Sequence, residues 1–313
     1  DWKGKGPRAS EPDFGDPSPQ GTPVRVLIEP TLPRTVSLAY LRPWRKVNDT
    51  IAYNEQLLVD ALALQIVNRR LEVQARNGGN YLFAQIAQED ISRTADATLV
   101  SLTPIGDKWE AATRDVRAII ADATTTAPSV ADIDREKTLF GNALRTMLDS
   151  YPFEAAAKQA DDIVNAVDIR ETVAAPKTVV QVYEGMKDQF TPERLLASTQ
   201  KLFSADVIRL LVSSPTPIPD ADNRALAALN ASVAANTSAR LSEKTLGFAA
   251  LPKLGAPGEL VAEDILSRWD VTRLELSNGV RALLYPNKAE SGQIRILVRF
   301  GRGYQAVNPD QGG

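Results

Sequence analysis

Between Asn48 and Arg76 the sequence carries one long helical period, set between two pairs of strand-like runs. Leu57, Leu58, Ala61, Leu62, Leu64, Ile66 and Leu71 recur at i, i+3, i+4 spacing with some drift, as on a helix with one apolar stripe. Asn48 or Asp49 is placed to cap its start. Asn77-Gly78-Gly79 ends it, because Asn and Gly accept the left-handed backbone of a C-cap. Ahead of it, VRVLIEP (24–30) and RTVSLAYLRP (34–43) read as strands, with Pro30 and Pro33 as punctuation. Behind it, NYLFAQIAQEDI (80–91) and ADATLVSLTPI (95–105) read as antiparallel neighbours. Two strands, a helix and two more strands do not alternate as a doubly wound sheet requires. The order predicts an α+β two-layer sandwich, a largely antiparallel mixed sheet with helices packed on one face.

A helical block follows. Asp107 and Glu110 form a capping-box-like pair beside Trp109, Ala112, Val116, Ile119, Ile120 and Ala123. Ser129, with Asp132 three residues on, caps a helix expected to bury Ile133, Phe140, Leu144, Met147, Leu148 and Tyr151. FEAAAKQADDIVNAV (153–167) reads as a third helix. Thr191-Pro192 is a cap followed by proline at the first helical position. ADVIRLLVSSP (205–215) then reads as a strand, apolar enough that both of its faces are expected to be covered.

Four domain-scale segments result. Residues 1–23, with five Pro and four Gly, read as an extended linker. Residues 24–215 form the α+β domain. Residues 216–262 are a short helix near 221–232 and an interdomain linker. Residues 263–313 begin a further domain with the hairpin LELSNGVRALLYPN (274–287), whose Asn278-Gly279 suits a two-residue turn, and a next strand IRILVRFG (294–301).

Composition limits the chemistry. The 313 residues contain no His and no Cys. Ser-His-Asp and Cys-His nucleophile systems, imidazole ligands, thiolate zinc sites and disulfides are thereby excluded within this chain. The net charge of −3 is spread without a basic stripe, which argues against nucleic acid as a partner. No apolar run approaches the ~18–20 residues that span a bilayer. The opening DWKGKGPRASEP lacks the apolar core of a signal peptide and an initiator Met, as expected of a processed or internal segment.

Several stretches, in their order and spacing, resemble the pitrilysin/insulinase family of zinc metallopeptidases. The run Ser277–Gly313 resembles the opening of a half-molecule in that family. Val67-Asn68-Arg69-Arg70-Leu71, the Trp-led helix and long helix from Trp109 to Leu148, and Phe190-Thr191-Pro192-Glu193 through Val212 are similar to its non-catalytic second domain. Asp1-Trp2-Lys3 is similar to the tail of its first, catalytic domain. The resemblance implies a half-domain fold like that of the mitochondrial processing peptidase. It also implies an internal fragment: the second domain of one half, a linker and the start of the next half. Zinc is then expected in the parent's upstream domain and not here, because the family's H-x-x-E-H is absent. The partners implied are that catalytic domain, the downstream half on the same or a partner chain, and a peptide substrate. The compartment implied is periplasmic, with the chain soluble. A relative that has lost the zinc motif would instead be a structural or peptide-binding subunit, and these residues leave that alternative open.

No catalytic, cofactor-binding or metal residue is assigned. Arg145 and Tyr151 are candidates for substrate contact, since the family holds a peptide carbonyl with an Arg and a Tyr from a non-catalytic domain. The plainer reading puts Tyr151 at the end of an apolar stripe and Arg145 on the wet face of the same helix. Asp161-Asp162 and Glu89-Asp90 read as solvated charge. Asp220-x-Asp222-Asn223 lacks the glycine and distal Glu of a calcium loop. Asn77-Gly78-Gly79 and Gly301-Arg302-Gly303 read as turns, not phosphate loops. Trp44 and Trp269 suit either contact surfaces or packing.

Overall fold

The computed structural model describes residues 12–47, 49–240, 255–286 and 296–299. Contacts divide the chain into two compact units, residues 1–244 and 245–313.

In the first unit, strands β1 (Val24–Ile28), β2 (Thr35–Pro43), β3 (Tyr81–Ile91), β4 (Ala95–Pro104) and β5 (Val207–Ser214) form one sheet in the order β1-β5-β2-β4-β3. β1 and β5 run parallel, and every other pairing is antiparallel. The helices are α1 (Ile51–Arg76), α2 (Trp109–Thr125), α3 (Val130–Ser150), α4 (Ala156–Asp168), α5 (Pro176–Gly185), α6 (Pro192–Phe203) and α7 (Ala221–Asn230). This is the expected α+β sandwich.

Register explains the core. Val212, Val36, Leu102 and Ala84 lie side by side across four strands, and Leu210, Leu38, Val100 and Ile86 form the next row. Alternation puts both rows on one face, where they join one buried cluster with Leu62, Val67, Trp109, Ile119 and Leu195 from the helices. Thr98 follows in the adjacent row; its buried hydroxyl donates to Leu202 O at 2.7 Å, and Arg42 Nη1 donates there at 2.6 Å. An orphan carbonyl at the end of α6 is thereby satisfied. The opposite face is only half covered: Ser37, Ala39, Leu41, Leu99 and Leu211 stay partly exposed, so β5 is not enclosed on both sides as its apolar run suggested.

Residues 12–23, part of the segment read as an extended linker, are tied to the domain by side-chain contacts. Arg209 donates to Ser18 O (2.5 Å) and Gln20 O (3.1 Å), Arg45 pairs with Asp16 (2.7 Å), and Arg93 lies 4.8 Å over the Phe14 ring. Proline-rich backbone loses less entropy on ordering than a flexible chain does, so a few such anchors hold it.

The helix ends refine the sequence reading. Thr50 caps α1, its hydroxyl accepting from Tyr53 N, in place of Asp49, which accepts from Thr172 N–H; Asn48, the other expected cap, lies outside the described residues. At the other end Gly78 (φ +88°), not Asn77 (φ −88°), is left-handed, and Gly79 N–H reaches back to Gln74 O. A Cβ on Gly79 would stand 2.9 Å from that carbonyl, which explains the second glycine. Ser129 and Thr191 cap α3 and α6 as expected. Asp107 and Glu110 form no capping box: they pair with Arg34 and Arg224. Along α3, Met147 and the following Tyr151 are exposed, because a one-turn 3-10 helix (Tyr151–Phe153) turns the chain away there. α5 was not anticipated.

In the second unit, strands β6 (Leu260–Leu266), β7 (Val271–Leu276) and β8 (Arg281–Leu284) form an antiparallel sheet. β6 falls partly inside the stretch read as linker. The β7–β8 hairpin is present as expected, but its loop is Ser277-Asn278-Gly279. Gly279 is left-handed (φ +83°) and donates to Leu276 O, so the turn holds three residues, not two. Residues 296–299, the described part of the expected next strand, are not in a strand. No described residue of this unit is buried.

Candidate functional site

Among the concavities of the first unit, two of comparable size open beside the first turns of α1. One, of about 370 Å³, is apolar and lies between the start of α1 (Ile51, Leu57, Leu58) and α5 (Val179, Val182). At its rim Asp49 accepts Thr172 N–H at 2.6 Å and is bonded by Asn54. Those bonds, Thr172's foremost, hold its carboxyl below the usual range.

The other, of about 350 Å³, is polar and is the better candidate site. It sits where the β3–β4 hairpin meets α1 and the end of α6. Trp44, Tyr53, Gln88, Asp90, Asp96, Glu171, Asp60 and Lys201 line it. Pairing builds its acidity directly, since Asp90 on β3 stands opposite Asp96 on β4. Like charges facing across a ladder repel. Asp96 is relieved by a two-pronged contact from Arg42 (3.0 and 3.1 Å), whereas Asp90 is not among the residues Arg42 reaches. Desolvation, then the charges of Asp96 and Glu171, push Asp90 up to about 6. Glu171 accepts from Tyr53 Oη at 3.0 Å; desolvation and that carboxylate raise the phenol. On the floor, buried Asp60 accepts from Ser198 Oγ (2.6 Å) and Gln56 Nε2 (2.7 Å). Such a site can hold a proton at Asp90 up to about pH 6 and attract cationic groups.

The sequence-derived candidates lie elsewhere. Arg145 is exposed on α3 and pairs with Glu184 at 2.7 Å; Glu184 also meets Lys187 at 2.5 Å. Tyr151 is exposed and opens the 3-10 turn after α3. Neither lines either concavity. Asp162 is held by Lys158 (2.6 Å) on the solvent side of α4. Asp220 precedes α7 and accepts from Asn223 Nδ2 (2.6 Å). Trp44 is half-buried at the polar cavity, whereas Trp269 is exposed beside Arg268. Gly301-Arg302-Gly303 lies outside the described residues. Glu89 and Asp90 are both exposed, as their reading as solvated charge expects, but that reading did not anticipate the facing of Asp90 and Asp96. The available signal was the short hairpin, which sets Asp90 against Asp96.

Among the described residues no group of three or more His, Cys, Asp or Glu is arranged to hold a metal ion, and no helix is long and apolar enough to cross a membrane. Fold and site therefore define a helix-backed α+β sandwich without an assembled metal centre among those residues. No protein-family model matches the sequence, and no curated protein does. Solved structures match in fold. The periplasmic protease PqqL from Escherichia coli superposes with a TM-score of 0.57 at 17% identity, over 88% of this chain and 31% of PqqL. A predicted insulinase family protease from Yersinia pestis gives 0.57 at 15% identity, over 72% of this chain and 50% of that one. The ferredoxin protease FusC, in complex with Arabidopsis ferredoxin, gives 0.51 at 18% identity, over 85% of this chain and 30% of FusC. The chain thus has the fold of the insulinase-type peptidases and spans half or less of the length of these three proteins.

Proposed function

We propose that this chain is a non-catalytic domain of a zinc-dependent endopeptidase, with the opening strands of a further domain. The carrying observation is the shared fold over 88% of the chain with a periplasmic protease, combined with a sequence that holds no His and no Cys. The chemistry of the parent is metal-assisted hydrolysis supplied by another domain. This domain encloses substrate and packs on the catalytic domain. The polar cavity gives the wall a negative patch, and Arg145 and Tyr151 offer exposed groups to a bound peptide. The β6–β8 sheet, in which no residue is fully buried, supports reading residues 263–313 as part of a further domain. The periplasm is the compartment this reading favours, after the location of PqqL.

Reading the coding frame on both sides of the segment tests this. An H-x-x-E-H within the preceding ~200 residues, about one domain's length, is the expected result. A homologous domain without that motif would make the protein a structural or peptide-binding relative instead.

A further inference from the structure

The β3–β4 hairpin closes through a turn that its residues do not favour. Thr94 N–H donates to Ile91 O at 2.8 Å, and the two residues between them, Ser92 (φ 46°) and Arg93 (φ 58°), are both left-handed. A two-residue turn of this kind is commonly Asn-Gly, because a side chain crowds the left-handed backbone. A strained residue persists where its surroundings over-determine it.

What holds Arg93 is its side chain, which is only 11% exposed. The guanidinium lies 4.8 Å over the Phe14 ring, and Nη2 meets Asp168 Oδ1 at 3.6 Å. One side chain thus joins the hairpin tip, the N-terminal segment and the end of α4. All three reach the polar cavity. Asp90 and Asp96 line it from the two strands of the hairpin, and Ile169 and Glu171 line it just beyond Asp168. Arg45, also in the lining, pairs with Asp16, two residues after Phe14. At the far end of the same wall, Thr172 N–H is bonded to Asp49 at 2.6 Å.

We propose that Arg93 is a latch: residues 12–18 form a strap whose hold on Arg93 keeps residues 168–172 closed against the polar cavity. When the strap lifts, Arg93 loses the Phe14 ring that orients it, Asp168 loses that cation, and the cavity wall loosens. The latch acts within this domain, independently of any role in a peptidase.

Hydrogen exchange and limited proteolysis of two variants of the whole chain test this. Phe14→Ala alters the strap alone. It is nevertheless expected to speed amide exchange across residues 168–172 by roughly two- to fivefold, the worth of an exposed cation–π contact in a local opening equilibrium. Arg93→Gly suits the left-handed backbone while removing the side chain. It is expected to speed both exchange at 168–172 and cleavage within 12–18, and to leave the amides that pair β3 with β4 protected. In the Arg93→Gly background, Phe14→Ala should add nothing at 168–172. Unchanged exchange at 168–172 in Phe14→Ala overturns the proposal, because the strap then merely rests on the domain. So does an Arg93→Gly chain whose strap is cleaved no faster, or an additive effect of the two substitutions at 168–172. Should Arg93→Gly lose its circular dichroism, the Phe14→Ala result decides.

Discussion

Arg70 and Asp122 form an ion pair of 3.2 Å in which both side chains are almost wholly withdrawn from water, at 3% and 1% exposure. The pair ties α1 to α2. Its second cation comes from far along the chain: Arg240 Nη2 meets Asp122 Oδ1 at 2.6 Å and Nε meets Oδ2 at 3.0 Å. Residues 231–240 are thereby laid along α2, with Asn236 N–H donating to Ala118 O. Burial lowers the pKa of the Arg70 guanidinium, and the charges of Asp122 and then Asp132 oppose that shift.

Removing Asp122 leaves that guanidinium buried and uncompensated. Asp122→Ala should cost about 3–5 kcal/mol, read as a lowered urea midpoint. Arg240→Ala should cost far less globally, because Arg240 is partly exposed and Arg70 still pairs. Its expected signature is faster proteolysis within residues 231–240. Equal losses from the two variants would contradict this assignment.

Gly141 on α3 faces Tyr183 on α5. A Cβ at Gly141 would come within 3.0 Å of the ring, and the ring cannot yield: its hydroxyl donates to Lys137 O at 2.5 Å and its face meets Phe140 edge-on at 5.6 Å. Alanine gains ~1 kcal/mol of helix propensity over glycine, but overpacking a core costs about 1–3 kcal/mol. Gly141→Ala should therefore destabilise on balance, and Gly141→Val more. A raised melting temperature for the alanine variant would show that α5 shifts freely.

Asp90 gives a pH test of the polar cavity. In the folded chain it holds its proton up to about pH 6, against 3.8 for the ordinary carboxyl. Between these values the folded state binds more protons than the unfolded state. Its contribution to stability therefore falls as pH rises through that window and levels off above it. Asp49, held low, works in the opposite sense. The informative quantity is thus the difference between Asp90→Asn and the parent sequence, which should favour the variant increasingly from pH 4 to pH 6.5. A flat difference would place Asp90 outside any repulsive cluster.

Arg145 and Tyr151 should be dispensable for folding. Exposed pairs such as Arg145–Glu184 contribute little, and Lys187 remains to hold Glu184. Arg145→Ala and Tyr151→Phe should each shift stability by less than about 0.5 kcal/mol. A larger loss on unfolding in urea would make them structural and remove them as peptide contacts.

What the sequence disclosed follows the reach of each signal. The five strands of the first sheet, α1 and the caps at Ser129 and Thr191 rest on local chemistry, and they were legible. α5 was missed although Pro176 starts it and Val179, Val182 and Tyr183 give its spacing, because ten residues offer too few periods. β6 was missed because Glu263-Asp264 interrupts its alternation. The turn at Asn278-Gly279 was located but miscounted, since dipeptide preference does not fix loop length. The polar cavity joins residues 53, 90, 96 and 171, and only the Asp90–Asp96 pairing is local enough to read.

The most direct test of the non-catalytic role is metal analysis of the purified, dialysed chain, run beside a peptide-cleavage assay. A domain that only encloses substrate should carry no stoichiometric zinc and cleave nothing above background. One zinc per chain surviving dialysis, or cleavage that a chelator abolishes, would contradict it.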